Sequence, residues 1–175
     1  KIESEYKDFS DAFSKINSTI CYSVKANSNL SVIRTLSNLG AGADVVSGGE
    51  LLRALKGGVS PKKIVFSGVG KTDQELEMAI ERDILQINVE SFSELNRLNI
   101  IAEKYNKIPK VGIRVNPDVA AGSHDKISTG RKEDKFGIDW ENVREIFLTN
   151  KNLKNIKLVG LAIHIGSQLQ SLTPF

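Results

Sequence analysis

The feature that most constrains this chain is a regular alternation of short apolar runs with amphipathic stretches. The runs cover residues 20–24, 43–46, 63–67, 84–89 and 110–115, and their starts lie about 20 residues apart, the spacing of repeated strand–helix units. Between them, Val32, Ile33, Leu36 and Leu39 recur at helical spacing, as do Leu76, Ala79 and Ile80, and Leu95, Leu98, Ala102 and Tyr105. Tyr6, Phe9, Phe13 and Ile16 predict an opening helix. Trp140, Val143 and Phe147 predict a late one, and 156–165 a further strand. The helix ends are punctuated. Ser47 with Glu50, Thr72 with Glu75 and Ser91 with Glu94 read as capping boxes, while Gly40 and Gly57-Gly58 read as stops.

Strand–helix alternation implies a parallel sheet. Two architectures satisfy it, an open doubly wound sheet and a (β/α)8 barrel. A barrel needs eight units and typically about 250 residues. The 175 residues hold about six units, so a barrel would stop about two units early. In either architecture the chemistry sits at the C-terminal ends of the strands. That rule singles out Lys25, Ser47, Ser67, Glu90, residues 114–116 and residues 164–168.

Composition excludes several classes of function. Apolar residues make up 40% and charged residues 26%, ordinary for a globular protein with a sizeable core. The net charge of +3 comes from scattered Lys and Arg, which argues against a dedicated nucleic-acid surface. No apolar run reaches the roughly 18 residues of a membrane span. No signal peptide is visible, and the one cysteine, Cys21, rules out an internal disulfide framework and fits a reducing cytosol. Its apolar strand position reads as an inert, packed thiol. Lys1 and Phe175 are both expected to be cut ends.

Two familiar motifs fail. Gly70-Lys71-Thr72 hints at a P-loop, but Val65 stands where the first glycine belongs. Gly40-Ala41-Gly42 precedes a strand instead of following one, unlike a dinucleotide fingerprint. His124, His164 and Cys21 are too few for a zinc site.

Other stretches carry more. Lys25 follows an apolar strand, where desolvation would favour a neutral, nucleophilic amine suited to a carbonyl or to pyridoxal phosphate (PLP). The competing reading is a lysine whose head reaches solvent at a strand end. His164, before Gly166-Ser167, could stack on a cofactor ring while Ser167 binds a phosphate, or could be a core histidine beside a turn. Arg114 lies in an apolar strand and needs an anionic partner. Asp44 is the expected one, either as a charged pair beside the amine or as a plain salt bridge between strands. Residues 116–138 contain His124, Asp125, Ser128, Thr129, Gly130, Lys135 and Phe136, and read as a substrate loop or a solvated connector.

Taken in order, these stretches resemble one family. Tyr22-Ser23-Val24-Lys25-Ala26-Asn27 is similar to the PLP-lysine motif of the alanine-racemase-like barrel enzymes. The stretch Gly42-Ala43-Asp44-Val45-Val46-Ser47-Gly48-Gly49-Glu50-Leu51 resembles the second-strand motif of their decarboxylase branch. Phe66-Ser67-Gly68-Val69-Gly70-Lys71-Thr72 and Ile87-Asn88-Val89-Glu90-Ser91 match that branch too. Arg114-Val115-Asn116-Pro117-Asp118-Val119, Ile127-Ser128-Thr129-Gly130, Lys135-Phe136-Gly137-Ile138 and His164-Ile165-Gly166-Ser167-Gln168 resemble the diaminopimelate decarboxylase family.

The resemblance implies a PLP-binding barrel domain over residues 1–175, an incomplete (β/α)8 TIM barrel whose last strands and C-terminal β-sandwich domain are absent. It implies that Lys25 holds PLP covalently, His164 stacks on its ring, Ser167 contacts its phosphate, and Asp44 and Arg114 form a charged pair near the lysine. The implied reaction is decarboxylation of meso-diaminopimelate to L-lysine, in a cytoplasmic homodimer whose partner subunit lends a cysteine that Cys21 does not match. The alternatives are a decarboxylase of ornithine, arginine or carboxynorspermidine, and a catalytically silent homologue that binds partners.

Overall fold

A computed structural model describes residues 1–119, 136–149, 153–167 and 171–173. The chain divides into two compact units, Lys1–Ile87 and Asn88–Phe175.

The first unit begins with helix α1 (Ile2–Ala12). Of the predicted stripe only Tyr6 and Phe9 lie within it, since α1 ends before Phe13 and Ile16; it buries no residue among those described, and the Phe9 and Phe13 ring centres lie 4.9 Å apart. Strand β1 (Cys21–Ser23) is shorter than the predicted 20–24, because the chain tightens into a 3-10 turn at Val24–Ala26. There follow α2 (Leu30–Asn38), β2 (Gly42–Val45), α3 (Gly48–Lys56), β3 (Ile64–Phe66), α4 (Asp73–Glu81) and β4 (Gln86–Val89), which runs into the second unit. The pairings β1–β2, β2–β3 and β3–β4 are all parallel. Apolar residues at helical spacing, Leu51 and Ala54 in α3 and Leu76, Ala79 and Ile80 in α4, are buried. With Val45, Ile64 and Phe66 from the strands they form the core of this unit.

The second unit carries α5 (Phe92–Tyr105), β5 (Lys110–Asn116), β6 (Ile138–Asp139), α6 (Trp140–Thr149) and β7 (Lys157–Ile163). Strand β5 pairs in parallel with both β6 and β7. β6 is a two-residue strand that periodicity could not reveal, since two residues make no period. Gly137 precedes it at φ +86°, and a Cβ there would press on the Asn116 and Arg114 backbone at about 3.0 and 3.1 Å, so the close approach requires glycine. β5 buries Val111, Ile113 and Val115, and α5 buries Leu95, Leu98, Ile101 and Ala102. No helix among the described residues is long and apolar enough to cross a membrane.

The three predicted capping boxes separate into two kinds. Thr72 and Glu75 form the full reciprocal box. Ser47 and Ser91 each accept from the backbone N–H three residues on, but Glu50 and Glu94 reach one residue further back, to the N–H of Val46 and of Glu90.

Candidate active site

In the first unit the Lys25 turn is held by its neighbours. The Tyr22 hydroxyl donates to the carbonyl of Asn27 at 3.0 Å. The Asn27 side chain accepts from the N–H of Asn29, and the Asn29 side chain caps α2 through the N–H of Ser31. Arg53 of α3 donates to the carbonyl of Ser28. Four side chains thus fix the backbone on one flank of Lys25. Val24 is fully buried, whereas Lys25 itself is exposed. The dry amine expected from sequence is therefore corrected. The strand stops at Ser23, and in the 3-10 turn the core position goes to Val24 while Lys25 stays exposed.

The β1–β2 register sets Asp44 opposite Ser23, two residues before Lys25. The Ser67 hydroxyl at the end of β3 donates to Asp44 Oδ1 at 2.7 Å. Lys71, only 3% exposed, bonds the carbonyl of Gly68 and lies 5.8 Å from the Phe66 ring. Glu75 accepts from the N–H of Gly48, joining the first turn of α3 to that of α4. Burial works against the Glu75 carboxylate. The N–H groups of Gly48 and Thr72, the Thr72 hydroxyl and the charge of Lys71 outweigh it, holding its pKa below the ordinary value.

In the second unit Arg114 is the hub. Its partner is Glu90, at 2.8 Å with side-chain exposures of 12% and 3%, which corrects the expected pairing with Asp44. The reason is burial: Glu90 at the end of β4 is a nearly dry carboxylate, and a nearly dry guanidinium matches it. Arg114 also donates to the carbonyl of His164 at 3.5 Å, and its guanidinium carbon lies 5.4 Å from the Phe136 ring centre. His164 follows β7 directly and is exposed, so the core-histidine reading does not hold; Ser167 is exposed as well. Gln168 and the His124, Asp125, Ser128, Thr129, Gly130 and Lys135 of the long segment lie outside the described residues.

Sequence reasoning singled out Glu90 and Phe136 but joined neither of them to Arg114. Phe136 stood only among the residues of the long segment, because an aromatic in a polar stretch has no period to place it. Lys71 was set aside with the failed P-loop. Glu90 was noted for inspection, yet nothing in the chain order pairs it with Arg114. Its one signal was a carboxylate directly after an apolar strand.

Each unit carries groups of a kind that a phosphorylated aromatic aldehyde would use. Lys25 offers an exposed primary amine for a carbonyl carbon, His164 an exposed imidazole, and Ser167 an exposed hydroxyl after a glycine at φ +143°. Among the described residues no group of three or more His, Cys, Asp or Glu could hold a metal ion.

Comparison with known proteins agrees. A family model described as pyridoxal-dependent decarboxylase, pyridoxal binding domain, matches residues 1–175. The chain is 48% identical over 174 residues to diaminopimelate decarboxylase of Helicobacter pylori strain J99, covering 99% of this chain and 43% of that protein. It is 47% identical over 175 residues to the Pseudomonas fluorescens enzyme of the same name, covering 99% and 42%. A crystal structure of the Helicobacter pylori enzyme complexed with L-lysine matches at 46% identity with a TM-score of 0.96, over 99% of this chain and 44% of that one. The chain thus spans less than half the length of these relatives. Of the two architectures that strand–helix alternation leaves open, its parallel α/β fold is the first part of the barrel.

Proposed function

The chain belongs to the pyridoxal-dependent decarboxylases, as their pyridoxal binding domain, and from that premise we propose that the whole protein decarboxylates meso-diaminopimelate to L-lysine and carbon dioxide. The observation that carries the reading is identity of 48% and 47% across 99% of the chain with two diaminopimelate decarboxylases. PLP, when bound, supplies the electron sink that accepts the electron pair left by departing carbon dioxide. Lys25 anchors the cofactor, its turn held rigid by Tyr22, Asn27 and Arg53. His164 meets the ring, and Ser167 with the nearby backbone takes the phosphate. Asp44, oriented by Ser67, sets the charge beside the lysine turn. Arg114, compensated by Glu90, sets the charge beside His164. Residues 1–175 form part of the barrel domain. The whole protein works as a cytoplasmic homodimer, a reading supported by the family resemblance and by a chain with a single cysteine.

The test is substrate profiling of the full-length protein with PLP. Lysine and carbon dioxide should be released from meso-diaminopimelate in clear preference to any product from ornithine, arginine or carboxynorspermidine. A preference for one of those three would overturn the assignment, and no turnover of any would favour a silent binding protein. Borohydride reduction with PLP followed by peptide mapping should label Lys25; a label elsewhere would remove it from its role.

A further inference from the structure

We propose that Glu90 is a positioning residue for His164, acting through the guanidinium of Arg114. The inference rests on the reading of His164 as the residue that meets the cofactor ring.

Four observations carry it, all within the second unit. Glu90 is buried, and its carboxylate bonds Arg114 Nη1 at 2.8 Å. The other terminal nitrogen, Nη2, extends to the carbonyl of His164 at 3.5 Å. The Phe136 ring lies beside the same guanidinium. Finally, Glu90 is itself fixed, because Glu94 Oε2 accepts from its N–H while Ser91 caps α5.

A salt bridge that only joins β4 to β5 would use one face of the guanidinium. Here one guanidinium gathers the ends of three strands. It takes the carboxylate after β4, sits on β5, and reaches the carbonyl after β7, with Phe136 against it. Arg114 pairs with Ala162, and the last paired residue of β7 is Ile163. His164 therefore leaves the strand ladder at the point where its ring orientation matters. Its carbonyl has the guanidinium as donor, and Ile165, 3% exposed, anchors the next residue. Holding the main chain on both sides of the ring limits the directions the imidazole can take. Glu90 supplies the negative charge that keeps the guanidinium in that place, since an unpaired buried guanidinium would turn toward water.

The experiment separates this role from a merely structural ion pair. It uses the full-length protein, with and without PLP. Arg114→Lys retains a cation for Glu90 but lacks the second nitrogen that reaches His164 and the flat face beside Phe136. Glu90→Gln retains the shape and lacks the charge. In both variants PLP should dissociate about tenfold faster. The visible circular dichroism at about 420 nm, per bound cofactor, should fall by half or more, with kcat reduced more than KM is raised. Glu90→Asp should recover part of both signals. The thermal midpoint of cofactor-free Arg114→Lys should stay near that of the parent. If Glu90→Gln does not fold, Arg114→Lys and Phe136→Leu decide. Unchanged dichroism per bound cofactor in the folded variants overturns the inference while leaving the cofactor site intact. A parent protein with no visible band in the presence of PLP overturns the underlying site reading instead, and the inference falls with it.

Discussion

Gly42 lies on β2 with its α-carbon turned toward β3 and β1. A Cβ there would overlap the carbonyl oxygen of Lys63 and come within 2.8 Å of Cys21 Sγ. A side-chain sulfur can move aside, but the Lys63 carbonyl, directly before β3, cannot without shifting the strand that follows it. Gly42→Ala should therefore lower the urea midpoint by the equivalent of about 1–3 kcal/mol. Adding Cys21→Ala should restore only part of it, and a parent-like midpoint for the single variant would show that the strands yield. Cys21 itself is half-buried. Burial first, and the charge of Asp44 second, push its pKa from 9.0 up to about 11, with Lys63 pulling the other way. Below pH 9 both folded and unfolded chains hold the proton, so this contribution to stability is fully present. As pH rises toward about 11 the unfolded chain releases the proton first and the contribution is lost. Cys21→Ser should flatten that alkaline limb. Iodoacetamide at about pH 8 should alkylate the folded chain roughly ten- to a hundredfold more slowly than the unfolded one.

At the level of elements, one short motif does two jobs. Ser-x-x-Glu before α3 and α5 closes the first turn through the serine, while the glutamate reaches back to a strand-end N–H. The strand end is thereby tied to the helix that follows it, which is where the site residues stand. Ser91→Ala should cost about 1 kcal/mol in denaturant titrations. Glu75 spans two elements, since its carboxylate takes the N–H of Gly48 from α3 and of Thr72 from its own cap. Glu75→Gln should cost more than Ser91→Ala, and the loss should depend on pH. A depressed carboxyl contributes stability above its ordinary pKa of 4.5 and loses it as pH falls through the lower folded value. The variant should therefore show a shallower acid limb below about pH 4.5, and an acid limb identical to the parent's would contradict the bridge.

At the scale of the molecule, the chain spans 43% of its Helicobacter pylori relative. Under the proposed function, the active site is completed by a cysteine that Cys21 does not match. Residues 1–175 alone should therefore release no lysine from meso-diaminopimelate above background, whereas the full-length protein should. Lysine production by the short chain would show that its own residues suffice.

The alternation of strands and helices, all but the two-residue β6, and the strand ends near Lys25, Asp44, Arg114 and His164 were legible from the sequence alone. Hydrophobic spacing and Ser/Thr-x-x-Glu signals are local, and a parallel α/β fold is little more than their repetition. Only the tertiary structure decided which charges meet. Arg114 could not be matched with Glu90, nor Asp44 with Ser67, from chain order, because parallel register and burial bring together residues about 20 or more positions apart. It also decided that Lys25 is exposed, since the turn after β1 gives the dry position to Val24.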